Sequence, residues 1–292
     1  MTHDEQWLLE EKYSGVETPE YEADKKRLAA GEPLDYVIGW QPFLGLKIHL
    51  DSHPLIPRVE TEWWTEQLLQ ESAKACSLRG PRSATARGLS DFSAEKSRTP
   101  KGTHRADSHT ERPLTFLDLC AGSGAIGCAA LARLPRARVY FGEIDPAHEA
   151  TIAKNIRENA LDEARADIRI GDLFGPFAGE TFDLIAANPP YIPAGRELDA
   201  SVADHEPARA LYSGDDGLDL IRRLAKELPD HLAPSGVAWI ECDSAHAEAA
   251  RALFAEQGLR AEIRADQYGQ PRVVCAEKPD GSKGDGPRAN RT

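Results

Sequence analysis

Leu114-Thr115-Phe116-Leu117-Asp118-Leu119 runs directly into Cys120-Ala121-Gly122-Ser123-Gly124, and the apolar residues 125–134 follow at once. An apolar run that stops at a glycine-containing turn and restarts as a longer apolar segment predicts strand, tight turn and helix. The glycines permit the turn and let backbone groups approach a ligand with no Cβ in the way. Residues 138–143, Arg-Val-Tyr-Phe-Gly-Glu, predict a further strand whose terminal acid, Glu143, could accept hydrogen bonds from a ribose. Asp145-Pro146 predicts a helix start, with Asp at the N-cap and Pro at the first helical position; Ala150, Ala153, Ile156 and Ala160 continue at helical spacing.

The alternation goes on downstream. Residues 167–170 lead to Gly171-Asp172-Leu173-Phe174, and the apolar residues 182–187 end at Asn188-Pro189-Pro190-Tyr191. Short strands are expected at 237–241, 260–263 and 272–276, with a helical stretch over 245–257. Strands alternating with helices predict a mostly parallel α/β sheet whose ligands gather beyond the C-terminal ends of its strands. The sites after Leu119 and after Ala187 both fall on that edge. Pro189 biases Asn188 toward an extended backbone, and neither proline has an amide donor. The segment is therefore suited to present an Asn side chain and carbonyls to an amide or amino nitrogen.

At 292 residues and 41% hydrophobic content, the chain can bury a large core. Its net charge of -13 argues against binding nucleic acid mainly through charge. The five cysteines, Cys76, Cys120, Cys128, Cys242 and Cys275, have no zinc spacing and fit a reducing compartment. No apolar run is long enough to cross a bilayer, and the acidic start with Asp4, Glu5, Glu10 and Glu11 resembles no signal or transit segment. No metal site, no membrane association and no direct nucleic-acid binding are expected, and a monomer is.

Residues 1–54 are expected to form a short N-terminal helical region, over 5–30, followed by a β-hairpin in which Leu46, Ile48 and Leu50 line one face. Residues 55–277 form the main domain, opening on Arg58, Glu60 and Glu62 and an amphipathic helix through Leu69. Those charges read first as a capping and ion-pair cluster. The segment 74–112, rich in Ser, Arg, Lys, Thr, Gly and Pro, interrupts this domain and predicts a disordered insertion; 278–292 predicts a flexible tail.

Together these motifs resemble the HemK/PrmC family of release-factor glutamine N5-methyltransferases. The resemblance covers 31–73 and 114–276, through GEPLDYVIG, LIPRVETE, DLCAGSGAIG, FGEIDP, GDLF, FDLIAANPPYIP, HEPARALYSGDDGLD and QYGQPRVV. NPPY-like segments also occur in DNA adenine and RNA guanine methyltransferases; the IPR-x-ETE and EPxxAL-x-GxDGL segments are more specific. The resemblance implies a Rossmann-like class I fold with a mostly parallel seven-stranded sheet. It implies S-adenosyl-L-methionine as cofactor and the glutamine of a Gly-Gly-Gln motif in a class I peptide chain release factor as substrate. Carried over by position, it implies cofactor contacts at Asp118, Cys120, Ala121, Gly122, Ser123, Gly124, Glu143, Asp172, Leu173 and Asn188. Asn188 Oδ1 and the Pro189 carbonyl would hold the target amide, with Pro190 and Tyr191 shaping the pocket; Tyr191 could equally complete the local core.

The chain departs from the family pattern in places. Cys120 stands where the family has the first glycine of its turn, Val59 where it has a second proline, and Pro271 where it has an aspartate. The N-terminal helical region is shorter than the family's substrate-binding domain. Motif spacing and the DQYGQPR ending resemble fungal mitochondrial members, which suggests mitochondria, with the cytoplasm as alternative. A DNA or RNA amino-methyltransferase, or a non-catalytic release-factor-binding protein, are the competing readings.

Overall fold

The computed structural model describes residues 1–78 and 112–279. Helices α1 (His3–Tyr13) and α2 (Pro19–Ala29) open the chain, so the single helical stretch expected over 5–30 is two helices. The break is local chemistry. Ser14 takes a left-handed backbone, φ 52°, as the α1 C-cap, and Thr18 caps the next helix by accepting the Tyr21 N–H, with Pro19 at its first position. A short α3 (Leu34–Ile38) completes this unit around Leu8, Tyr21, Val37 and Ile38. Its buried carboxylate, Asp24, accepts hydrogen bonds from Lys12 Nζ (2.6 Å), the Tyr13 hydroxyl (2.7 Å) and Arg27 Nη1 (2.8 Å). The hairpin β1 (Trp40–Phe43) and β2 (Leu46–His49) follows, with Ile48 and Leu50 buried as expected.

Helix α4 (Val59–Leu78) continues past Leu69, and so takes in residues 74–78 of the segment expected as an insertion. Gln70, Glu71, Ala73 and Lys74 are good helix formers whose polarity hides the helix from a hydrophobic pattern. The rest of that segment, 79–111, and the tail from 280 on lie outside the described residues.

Among the described residues a seven-stranded sheet forms the main domain. Its strands are β3 (Leu114–Leu119), β4 (Ala137–Glu143), β5 (Ala166–Ile170), β6 (Phe182–Ala187), β7 (Leu232–Glu241), β8 (Arg260–Ala265) and β9 (Pro271–Glu277), in the order β5-β4-β3-β6-β7-β9-β8. Pairs from β5 to β7 are parallel; β9 runs antiparallel to both its neighbours. This is the class I Rossmann-like methyltransferase fold. The chain winds outward in one direction from β3 to β5 and in the other from β6, so the crevice between the C-terminal ends of β3 and β6 is the topological switch point.

The connecting helices are α5 (Ala125–Arg133), α6 (Glu149–Glu158), the short α7 (Ala200–Ala203) and α8 (Ala208–Leu211), α9 (Asp219–His231) and α10 (Ala247–Glu256). Alternate strand residues feed two cores. Phe116, Phe141, Ala186 and Trp239 pack with α4, α5 and α6, while Leu117, Tyr140, Ile185 and Ile240 pack with α9 and α10. In α9 the buried Ile221, Leu224, Ala225 and Leu228 give one apolar stripe. Gly127 lets α5 press on the sheet, since a Cβ there would lie 2.2 Å from the Phe141 ring. Asp145 caps as expected, accepting the Ala147 N–H (3.0 Å) over a 3₁₀ turn that leads into α6. Ala160 is not on that helix: it has φ 53° just beyond its end. At the opposite end of the sheet Asp183 ties β6 to β3, accepting from the Thr115 N–H (2.9 Å) and from both Arg112 guanidinium nitrogens (2.7 and 2.5 Å).

Candidate active site

A cavity of about 340 Å³ opens at the switch point. Cys120, Ala121, Gly122, Ser123, Glu143, Asp172, Leu173 and Asn188, all singled out from the sequence, line it. The turn after β3 is left-handed at Cys120 (φ 62°), Gly122 (φ 55°) and Gly124 (φ 78°). Glycine takes that backbone freely; for a cysteine it costs roughly 1–2 kcal/mol. The Gly124 N–H returns to the Ala121 carbonyl (2.7 Å), and the fully buried Asn155 fastens the turn to the hairpin by donating to the carbonyls of Ser123 (2.9 Å) and His49 (3.1 Å). Burial, with Glu143 and Asp118 adding to it, pushes the Cys120 thiol well above its ordinary pKa, so it stays a neutral thiol.

Glu143, at the end of β4, is 6% exposed. Its Oε2 accepts the Gly122 N–H (2.7 Å), and its Oε1 accepts those of Ile144 and Asp145 (2.9 Å each). Three of a carboxylate's roughly four acceptor sites are thus occupied by backbone, leaving one for a donor in the cavity. On the rim, Asp172 accepts from Arg223 Nη2 (2.6 Å).

Asp118 is placed differently from the expectation of a cofactor contact. Its side chain is fully buried beneath the turn and outside the cavity lining, where Oδ2 accepts the Gly127 N–H (2.8 Å) and so fastens α5 to β3. Among the described residues its Oδ1 has no partner, and burial raises its pKa well above the ordinary aspartate value. The residue braces the turn from below.

Asn188 and Pro190 line the far wall of the same cavity, whereas Pro189 is buried and Tyr191 lies behind the lining. The Tyr191 hydroxyl donates to Glu241 Oε1 (2.9 Å), and its ring packs against the second core, the alternative the sequence left open. Glu241, at the end of β7, is completely buried and also accepts from the Thr61 hydroxyl (2.6 Å) and Trp64 Nε1 (2.7 Å) through Oε2. Asn188 Nδ2 donates to Thr61 Oγ1 (3.3 Å). Arg58 reaches Glu206 (2.5 Å), whose other oxygen accepts the Ile56 N–H (3.1 Å). The charged start of α4 is therefore paired across the fold, not within its own turn. Glu62 accepts the Leu44 N–H (2.6 Å).

Glu241, Thr61, Trp64, Glu206 and Asn155 were not marked as functional from the sequence. Glu241 carries the one signal that could have found it, an acid ending an apolar strand, the same pattern that marks Glu143.

The residues present fit S-adenosylmethionine. Glu143 has an acceptor site to spare for a ribose hydroxyl, and Leu173 and Ile126 offer apolar surface to a purine. Gly124, the N-cap of α5, lies outside the lining and has no side chain to cap the Ala125 and Ile126 N–H groups, which suits a carboxylate there; the Gly127 N–H is already taken by Asp118.

Comparison with known proteins agrees. A family model described as "Methyltransferase small domain" matches residues 104–210. The release factor glutamine methyltransferase of Chlamydia trachomatis serovar L2 is 32% identical over 236 residues, covering 80% of this chain and 68% of that protein. That of Geobacter sulfurreducens is 32% identical over 251 residues, covering 85% and 74%. Among solved structures, the hMettl16 catalytic domain in complex with MAT2A 3'UTR hairpin 6 aligns with a TM-score of 0.50 at 14% identity, covering 81% of this chain and 77% of that one. At that identity the likeness is one of fold.

Proposed function

This chain belongs to the release factor glutamine methyltransferase family, and we propose that it methylates N5 of the glutamine in the Gly-Gly-Gln motif of a class I peptide chain release factor, with S-adenosyl-L-methionine as methyl donor. The observation that carries this reading is that Asn188 lines the same cavity as Glu143 and the glycine turn, with its amide nitrogen already turned to Thr61. Its Oδ1 is then available to a substrate NH2.

A glutamine amide is a poor nucleophile because its nitrogen lone pair is delocalised into the carbonyl. The bound cofactor supplies an electrophilic methyl group on a sulfonium. The chain's own task is to hold the nitrogen in line and in a suitable dipolar field. Asn188 Oδ1 would accept one N–H, and the family resemblance assigns the other to the carbonyl of Pro189, a residue buried behind the lining, so that the proton lost on methylation passes to solvent from a nitrogen already polarised toward oxygen. Positioning and fixed dipoles of this kind lower a barrier without a carboxylate base beside the nitrogen. Glu143 and the backbone of residues 120–124 would hold the cofactor, with Leu173 against its base.

Labelled S-adenosylmethionine, offered with intact release factor, with release factor whose motif glutamine is replaced, with DNA and with RNA, tests the reading. Label is expected in intact release factor alone. Transfer to nucleic acid but not to release factor would replace it with the amino-methyltransferase alternative.

A further inference from the structure

We propose that Glu241 and Thr61 form a positioning device that fixes which end of the Asn188 amide faces the substrate; this rests on the reading of Asn188 as the acceptor for the substrate nitrogen.

The placement of the protons fixes the arrangement. The Trp64 indole nitrogen can only donate, and it donates to Glu241 Oε2 (2.7 Å). The Tyr191 hydroxyl takes the other oxygen, Oε1 (2.9 Å). An ionised carboxylate accepts only, so the single hydroxyl proton of Thr61 is also committed to Oε2 (2.6 Å). Toward Asn188, Thr61 has only lone pairs left. Of the two ends of the Asn188 amide, only the NH2 can meet them, and Nδ2 does so at 3.3 Å. The planar amide then sends Oδ1 away from Thr61. Since Thr61 and Asn188 both line the cavity, the flipped amide would offer substrate a donor where its own NH2 needs an acceptor. Glu241 is completely buried, and of its hydrogen-bond partners Thr61, Trp64 and Tyr191 only Thr61 lines the cavity, so it acts through another residue.

The device joins segments far apart in the chain. Thr61 comes from the first turn of α4, Asn188 and Tyr191 from the exit of β6, and Glu241 from the end of β7. The start of α4 therefore sets the chemistry of the strand exit. The Arg58 to Glu206 pair and the Ile56 N–H bond to the same carboxylate hold that helix start in place.

The test uses the full chain, labelled S-adenosylmethionine and a class I release factor, with Thr61→Val, Thr61→Ser, Asn188→Ala and the double variant Thr61→Val/Asn188→Ala. Cofactor Kd by calorimetry and thermal midpoint are followed for each. Thr61→Val keeps the shape of the side chain and removes the hydroxyl, so kcat is expected to fall about 10- to 100-fold, the scale of a misaligned reacting group, with cofactor Kd unchanged. Thr61→Ser restores most of the rate, and the double variant is no slower than Asn188→Ala. Wild-type kcat in Thr61→Val beside a slow Asn188→Ala would overturn the device and leave the role of Asn188 standing. Losses that multiply in the double variant would also overturn it, since Thr61 would then act independently. Wild-type kcat in Asn188→Ala would overturn both readings. Should Thr61→Val not fold, Glu241→Gln decides instead. Its carbonyl can accept from Thr61 and Trp64 while its NH2 donates to Tyr191, so a folded Glu241→Gln with most of the wild-type kcat beside a folded Glu241→Leu about 10- to 100-fold slower supports orientation, and equal rates in the two overturn that account.

Discussion

Glu143 and Glu241 each end a strand of the same sheet and each hold three donors, yet they are built in opposite ways. Glu143 is held by main-chain N–H groups of Gly122, Ile144 and Asp145, drawn from the adjacent turn and its own following residues. Glu241 is held by the side chains of Thr61, Trp64 and Tyr191, the first of them 180 residues away in the chain. One wall of the cavity is thus made by the path of the backbone, and the other by the identity of side chains from separate segments. A backbone wall keeps its shape when a neighbouring side chain changes. A side-chain wall fails at single positions.

The largest effect should come where the second wall is proposed to meet substrate. Asn188→Ala is expected to lower kcat about 100- to 1000-fold, as loss of one preorganised hydrogen-bonding group does, with little change in thermal midpoint because the group is only half-buried. A parallel fall in rate and stability would show that Asn188 serves the fold. Next comes Glu143→Ala on the first wall. Loss of a charged acceptor, about 1.5–3 kcal/mol, should weaken cofactor binding about 10- to 100-fold and leave kcat at saturating cofactor near that of the wild type. Calorimetric titration and saturation kinetics separate the two; a collapse of kcat at saturation would erase the division between the walls.

A pH profile sharpens the comparison further. Burial raises the Glu241 carboxyl above the ordinary glutamate range, against the opposing bonds from Thr61, Trp64 and Tyr191 and the nearby Arg272 charge. Because its folded pKa is raised, this group favours the folded state below the unfolded pKa and loses that contribution as pH rises through the folded value. Turnover should not follow it. A neutral Glu241 keeps its carbonyl toward Thr61 and Trp64 and its proton toward Tyr191, the arrangement of Glu241→Gln, so kcat should show no acid limb at the raised pKa in either protein. A limb in the wild type alone would break that account, and the same limb in both proteins would assign it to another group. The smallest effect is expected on the backbone wall. Cys120→Gly relieves a left-handed strain of roughly 1–2 kcal/mol but gives back about 0.5–1 kcal/mol through the freer unfolded chain. Chemical denaturation should show a change within about 1 kcal/mol, and cofactor Kd should not move; a large loss of affinity would make the thiol itself part of the site.

The same division decides what could be read from the sequence. Strand, turn and helix from Leu114 to Arg133, the acid of Glu143 and the exit at Asn188 are written in contiguous residues, because backbone geometry depends on neighbours. The cap at Asp145 was legible for the same reason. The carboxylate of Glu241 and the pairing of Arg58 with Glu206 depend on which distant segments the sheet brings together. An acid ending an apolar strand marks Glu241 locally, but no local pattern names its partners or those of Arg58. A motif position does not say whether a side chain points into a cavity or under it; along β3 the Asp118 carboxylate points inward, to α5. The C-terminal part of α4 was obscured by polar helix formers, and the two N-terminal helices were joined because Ser14-Gly15 is a weak break in composition while its left-handed φ is a strong one in space.

The clamp of Arg112 and Asp183 on Thr115 has a use for protein engineering. Thr61, in the first turn of α4, belongs to the cavity wall, and the helix from there to Leu78 carries the chain about 26 Å away from it. The chain re-enters the sheet at the start of β3, the end opposite the cavity, and is fastened there by the two guanidinium bonds and the Thr115 N–H. Cargo spliced between residues 78 and 112 would lead back into the enzyme at an anchored point remote from its working rim. The fold thus offers a graft point where a reporter or a targeting module can be carried without reshaping the place where methyl groups are passed on.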